Sequence, residues 1–178
     1  MRGYFGIGVE QISKEQNVGT LARSAHAFGA SFFFAIAPSV DIHAMRQSDT
    51  SDAFDHVPYH QFENVEALAL PEGCQLVGVE LIEGASELPS FRHPTRAAYV
   101  MGPEMGSLSP ELLARCDHVV KIPMKFCVNV GVAVALVMYD RMISMGRFAE
   151  RPVRAGGPVE DRAAHKHGRR FQRKKKAA

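Results

Sequence analysis

Three short segments carry residues whose types and spacing could do chemistry. The first is Asn17-x-Gly19-x-x-x-Arg23, within "EQNVGTLARSAHAFG" at 15–29. It joins a side-chain amide, a small helix entry and a guanidinium, whose planar fork of donors suits carboxylate or phosphate oxygens. The second is "MGPEMGSLSPE" at 101–111, where Gly102 and Gly106 flank the carboxylate of Glu104. The third is "IPMKFCVNVGVA" at 122–133, containing Cys127 and Asn129 ahead of an apolar stretch. Taken singly, each has a plain structural reading. Asn17 and Asn129 can be helix N-caps, the glycines ordinary turn residues, Cys127 a small buried hydrophobe and Arg23 a surface ion-pair partner.

The elements that must position these segments alternate in type. Strand-like runs are "YFGIGVE" (4–10), "SFFFAIA" (31–37), "VPYHQF" (57–62), "QLVGVEL" (75–81), "AAYVMG" (97–102) and "HVVKIP" (118–123). Pro58 assigns the third of these to a sheet edge, because proline cannot donate to a ladder. Val18, Leu21, Ala22, Ala25 and Phe28 fall on one face of a helix, with Asn17 at its expected N-cap and Gly29 at its stop. Further helices are expected at 64–70, at 109–116, where Ser109 caps and Pro110 leads, and at 129–147. Residues 41–56 read as a polar loop with a helical turn. The alternation predicts an α/β fold, a mostly parallel sheet with helices on both faces. In such sheets ligands sit beyond the carboxyl ends of strands, where all three segments fall. Helix 129–147 is apolar nearly all round, so the sheet alone cannot cover it, and a second subunit is expected to.

Composition narrows the class. The 178 residues are 46% hydrophobic, and no apolar run approaches the roughly 20 residues that span a bilayer. "MRGYFGIGVEQ" lacks the pattern of a secretory signal. Three cysteines at unrelated spacings suggest neither a disulfide framework nor a metal site, so a reduced, cytoplasmic protein without metal is expected. No G-x-G-x-x-G follows the first strand, which argues against a dinucleotide-binding oxidoreductase. The net charge of +2 conceals a segregation. Residues 1–150 hold eleven Lys/Arg against seventeen Asp/Glu, net −6, whereas 151–178 hold ten against two, net +8. The folded domain is therefore expected over 1–148, and 149–178 as a Pro/Gly-rich linker with a basic, disordered tail. Arg169, Arg170, Lys174 and Lys175 in "GRRFQRKKK" are candidate contacts to a polyanion.

Taken together and in this order, the three segments resemble the SpoU (TrmH-like) branch of the SPOUT RNA methyltransferases. That branch carries N-x-G-x-x-x-R, then a glycine-glutamate loop after a strand, then Ile-Pro-Met followed by a small residue, x, Asn and an apolar helix. The likeness runs from about residue 5 to about residue 145 and departs in two places. The second motif reads Gly102-Pro103-Glu104-Met105-Gly106-Ser107, without the usual Gly-Asn-Glu and flanking glycines. In the third, only Lys125 and Phe126 separate Ile-Pro-Met from Cys127, which stands at the usual serine.

The resemblance implies a C-terminal deep trefoil knot, a topology that general folding rules would refuse. It also implies a homodimer, S-adenosylmethionine bound in the knot, and methylation of ribose 2′-hydroxyls in tRNA or rRNA. Carried over by position, Arg23, Asn17, Glu104 and Asn129 become the catalytic candidates. Met101, Gly102, Ile122, Met124, Cys127 and Val128 become the cofactor-binding ones. Arg23 is expected to grip the phosphate beside the target ribose rather than act as a base, since guanidinium hardly deprotonates. A catalytic domain without a separate RNA-recognition module favours tRNA over rRNA. The alternative is a knotted RNA-binding protein without chemistry, such as a ribosome-assembly factor.

Overall fold

The computed structural model describes residues 3–41, 43, 45–46, 52–103 and 105–157. The chain forms two units, Met1–Gly146 and Arg147–Ala178. The first is built on seven strands: β1 (Tyr4–Glu10), β2 (Phe32–Ile36), β3 (Tyr59–Phe62), β4 (Gln75–Val79), β5 (Ser86–Glu87), β6 (Arg96–Met101) and β7 (His118–Lys121). Their order across the sheet is β3-β2-β1-β6-β4-β7-β5, and every pairing is parallel. All seven carboxyl ends therefore point the same way.

Local sequence explains the centre of this sheet. β1 has Gly6 and Gly8 where β2 has Phe32 and Phe34 alongside in register. A Cβ at either glycine would lie 2.1 Å from the neighbouring phenylalanine ring, so the rings occupy the space that side chains on β1 would need. Phe32, Phe34 and Ile36 pack on one face with Leu76, Leu108 and Leu112. Phe33 and Ala35 face the opposite core with Ile7, Val9 and Tyr99. β2 is thus buried on both sides, as its unbroken apolar run demands. β3, led by Pro58, ends the sheet as expected.

Four α-helices are described: α1 (Glu15–Phe28), α2 (Ala53–His56), α3 (Pro110–Arg115) and α4 (Val130–Met145). α1 buries Val18, Leu21, Ala22 and Ala25 and stops at Gly29, whose φ of 75° is left-handed. It begins three residues earlier than expected, at Glu15 rather than Val18. Lys14 is the N-cap, without a side-chain cap bond, and Asn17 lies in the first turn. α1 and α4 pack against each other, with Gly131 so close to Thr20 that a Cβ would fall 2.6 Å from its methyl carbon. α4 buries Val130, Val134, Val137, Met138 and Arg141 on one side. Its other side leaves Val132, Leu136, Tyr139 and Met142 between 39% and 49% exposed.

The helix expected at 64–70 does not form. Asn64 does accept from the backbone N–H of Ala67 at 2.8 Å, which starts a turn. The guanidinium of Arg115 then takes the carbonyls of Val65 and Leu68, the acceptors that a continuing helix would use internally. β5 was not foreseen either, since two exposed polar residues carry no alternation.

Candidate active site

The carboxyl ends of β4, β6 and β7 and the starts of α1 and α4 enclose a cavity of about 310 Å³. All three chemistry-bearing segments reach it. Asn17 comes from α1; Gly102, Pro103 and Gly106 come from the loop after β6. Ile122, Met124, Cys127, Val128 and Asn129 come from the passage between β7 and α4. Asn129 occupies the N-cap of α4, its Oδ1 accepting from the Gly131 N–H at 2.8 Å. Its amide nitrogen donates to Asn17 Oδ1 at 3.0 Å, joining the first and third segments across 112 residues of sequence. The Asn17 oxygen thus serves α4 from within the first turn of α1. Asn17 is only 8% exposed.

Other expected site residues stand elsewhere. Met101 is buried in the core beneath the cavity and does not line it. Arg23 is exposed on α1 and is not among the lining residues, six positions and about 9 Å along the helix from Asn17. Glu104 and Arg169, Arg170, Lys174 and Lys175 lie outside the described residues. Among the described residues, no group of three or more His, Cys, Asp or Glu could hold a metal ion. Nor is any helix there long and apolar enough to cross a membrane.

Sequence reasoning passed over three contributors. Lys14 and Glu80 line the cavity. Glu80 is the penultimate residue of the run "QLVGVEL", just past the end of β4, and the rule placing ligands at strand carboxyl ends could have picked it out. Glu80 Oε2 accepts from the Leu108 N–H at 2.7 Å, and its Oε1 from the Leu81 N–H at 2.9 Å. The third is Glu10, 2% exposed at the carboxyl end of β1. It accepts from the backbone N–H of Ser109 at 2.8 Å and from its hydroxyl at 2.5 Å.

A second polar cluster lies at the amino end of β6, away from the cavity. His93, buried, meets the Tyr99 hydroxyl at 2.6 Å through Nδ1 and Asp140 at 2.9 Å through Nε2. Arg141 donates to the Tyr99 hydroxyl at 3.0 Å and to the carbonyls of Pro94 and Thr95 at 2.6 and 3.1 Å. Burial pushes the His93 pKa below its usual value, with Arg141 adding to the shift and Asp140 opposing it. This cluster ties the last turns of α4 to the start of the central sheet and has no access to the cavity.

The fold and the three-loop cavity define a parallel α/β domain with its candidate ligand site at the strand carboxyl ends. The sequence model of the SpoU rRNA methylase family matches residues 5–139, and the chain belongs to that family. A curated relative, the tRNA (guanosine(18)-2′-O)-methyltransferase of Escherichia coli K12, is 28% identical over 137 residues. The match spans 74% of this chain and 60% of that relative's length. A solved structure described as giving insights into 2-OH methylation of C/U34 on tRNA is similar with a TM-score of 0.70 at 25% identity, over 80% of this chain and 91% of that one. The SpoU methyltransferase AviRb of Streptomyces viridochromogenes, in complex with AdoMet, shares the fold with a TM-score of 0.69 at 21% identity, over 82% of this chain and 63% of that one. The shared fold implies the knotted passage that the family resemblance led us to expect.

Proposed function

We propose that this chain is an S-adenosylmethionine-dependent RNA ribose 2′-O-methyltransferase, acting on tRNA as a homodimer. The observation that carries the reading is the Asn129–Asn17 hydrogen bond at the wall of the cavity, which brings two motif segments together at strand carboxyl ends. The lining suits the cofactor. Ile122, Met124, Val128 and Ala133 offer apolar surface for a purine and a thioether, while the loops around Gly102 and Val128 offer backbone donors and acceptors. Gly102, Ile122, Met124, Cys127 and Val128 would hold the cofactor, which when bound supplies an electrophilic methyl group.

The chain's own contribution is then to position a ribose and ease the loss of its proton. Arg23, exposed and pointing away from the core face of α1, suits a phosphate of the RNA backbone. A guanidinium beside the target ribose favours the developing 2′-oxyanion, with the proton passing to water or a substrate phosphate. Glu104 is assigned to holding Arg23 or the ribose hydroxyls. Because Arg23 does not line its own cavity, the reading has it serve the cavity of a second subunit. The exposed apolar stripe Val132, Leu136, Tyr139 and Met142 on α4 supports a dimer. The +8 charge of residues 151–178 would draw RNA to a body whose net charge is −6. The tRNA preference is supported by the Escherichia coli relative.

Calorimetric titration with S-adenosylmethionine tests the reading. Saturable binding at one site per chain, weakened by Val128→Trp, is expected. A flat titration with folded protein would instead favour an RNA-binding protein without chemistry.

A further inference from the structure

The loop between β6 and α3 supplies Gly102, Pro103 and Gly106 to the cavity, yet few of its residues are anchored by burial. Its shape is held at its closing end. Successive backbone N–H groups of Leu108 and Ser109 are accepted by two carboxylates from different strands, Glu80 at the end of β4 and Glu10 at the end of β1. Gly102 lies against this same point, since a Cβ there would fall 2.9 Å from the Leu108 nitrogen and 3.0 Å from the Ser107 carbonyl carbon. The two ends of the loop therefore touch where the carboxylates grip it. Neither carboxylate has a cation within ion-pair distance among the described residues. Their oxygens are committed to N–H and O–H donors, and Glu10 is almost wholly buried in doing so.

Resting on the functional reading above, we propose that Glu80 and Glu10 are positioning residues that latch the 102–109 loop in the form the cofactor needs. Glu80 also forms part of the cavity wall, so its grip on Leu108 is coupled directly to the volume offered to the ligand.

The two carboxylates differ in a way that makes the latch testable. Both oxygens of Glu80 accept from backbone N–H groups, Leu81 and Leu108. A glutamine offers one acceptor and one donor, so one of those N–H groups would face an amide N–H. Glu10 accepts from one backbone N–H and one hydroxyl of Ser109. A glutamine there can accept the N–H and donate to the hydroxyl oxygen, keeping both contacts.

Glu80→Gln is therefore expected to raise the KM for S-adenosylmethionine by about tenfold or more, with kcat within about threefold of wild type. Glu10→Ala, which removes both acceptors, is expected to raise the same KM by about tenfold, and Glu10→Gln to recover most of that loss. Amide hydrogen exchange supplies a readout independent of the cofactor. The Leu108 amide, protected in the wild type, should lose protection in Glu80→Gln and keep it in Glu10→Gln. Gly102→Ala, which pushes on the same point from the other side, should combine with Glu80→Gln less than additively in cofactor KM. A Glu80→Gln protein whose cofactor KM equals that of wild type overturns the proposal, as does a Leu108 amide that exchanges freely in the wild type. A wild-type protein that takes up no cofactor while Leu108 is protected overturns the functional reading, and with it the latch's role in binding.

Discussion

In the function we propose, Arg23 is placed by chemistry rather than by packing. It is exposed, lies on the outer face of a helix whose inner face is fully buried, and stands outside the cavity of its own chain. Arg23→Ala should therefore leave stability and cofactor affinity nearly unchanged while lowering methyl transfer by about a thousandfold, the scale of losing one transition-state charge contact. A turnover within tenfold of wild type would remove Arg23 from the mechanism. His93 makes the opposite case, a buried group whose role is stability. Its neutral form satisfies every neighbour: Nε2–H donates to Asp140, and Nδ1 accepts from Tyr99, which in turn accepts from Arg141. With its folded pKa depressed by burial, the unfolded chain binds the proton more readily. Stability is then complete above the unfolded value of roughly 6.5 and declines as pH falls through it. Thermal melts between pH 7.5 and 5.5 should show a falling midpoint, and His93→Gln should flatten that dependence.

At the scale of elements, the α1–α4 seam is the feature that builds the site, because it brings Asn17 and Asn129 within hydrogen-bond reach. The seam is tight at Gly131, where any side chain meets Thr20. Gly131→Ala should destabilise by about 1–3 kcal/mol, the usual cost of overpacking, and weaken cofactor binding with it. Thr20→Ala in the same protein should recover most of both, as read by urea melts and by titration. A Gly131→Ala protein as stable as wild type would show that the seam has slack. Elements also explain what could be foreseen. Six of the seven strands and the two long helices are legible because their apolar runs are long and their stops strong. The 64–70 segment misled because its fate is decided by Arg115, some 50 residues away, and a single guanidinium can outbid a short helix for its carbonyls. Asn17 misled in a related way, since an amide suited to capping its own helix is used by another.

The whole molecule shows why three weak signals became one strong one. An all-parallel sheet sends every strand's carboxyl end to the same edge, so segments near residues 17, 102 and 129 have to meet there. Their order was legible, as were Gly102, Ile122, Met124, Cys127, Val128 and Asn129 as neighbours of one cavity. Glu10 and Glu80 were not, because a carboxylate that grips backbone N–H groups far along the chain leaves no spacing to read. Met101 was misplaced by strand parity: its side chain points into the core while the following glycine opens to the cavity. The account as a whole stands on ribose methylation. The most direct measurement is transfer of labelled methyl from S-adenosylmethionine to unmodified tRNA and rRNA, followed by mapping of the product. The account predicts an alkali-resistant linkage at one tRNA nucleotide, marking methyl on the 2′-oxygen. Methyl found on a base, or no transfer to either RNA by protein that binds the cofactor, would contradict it.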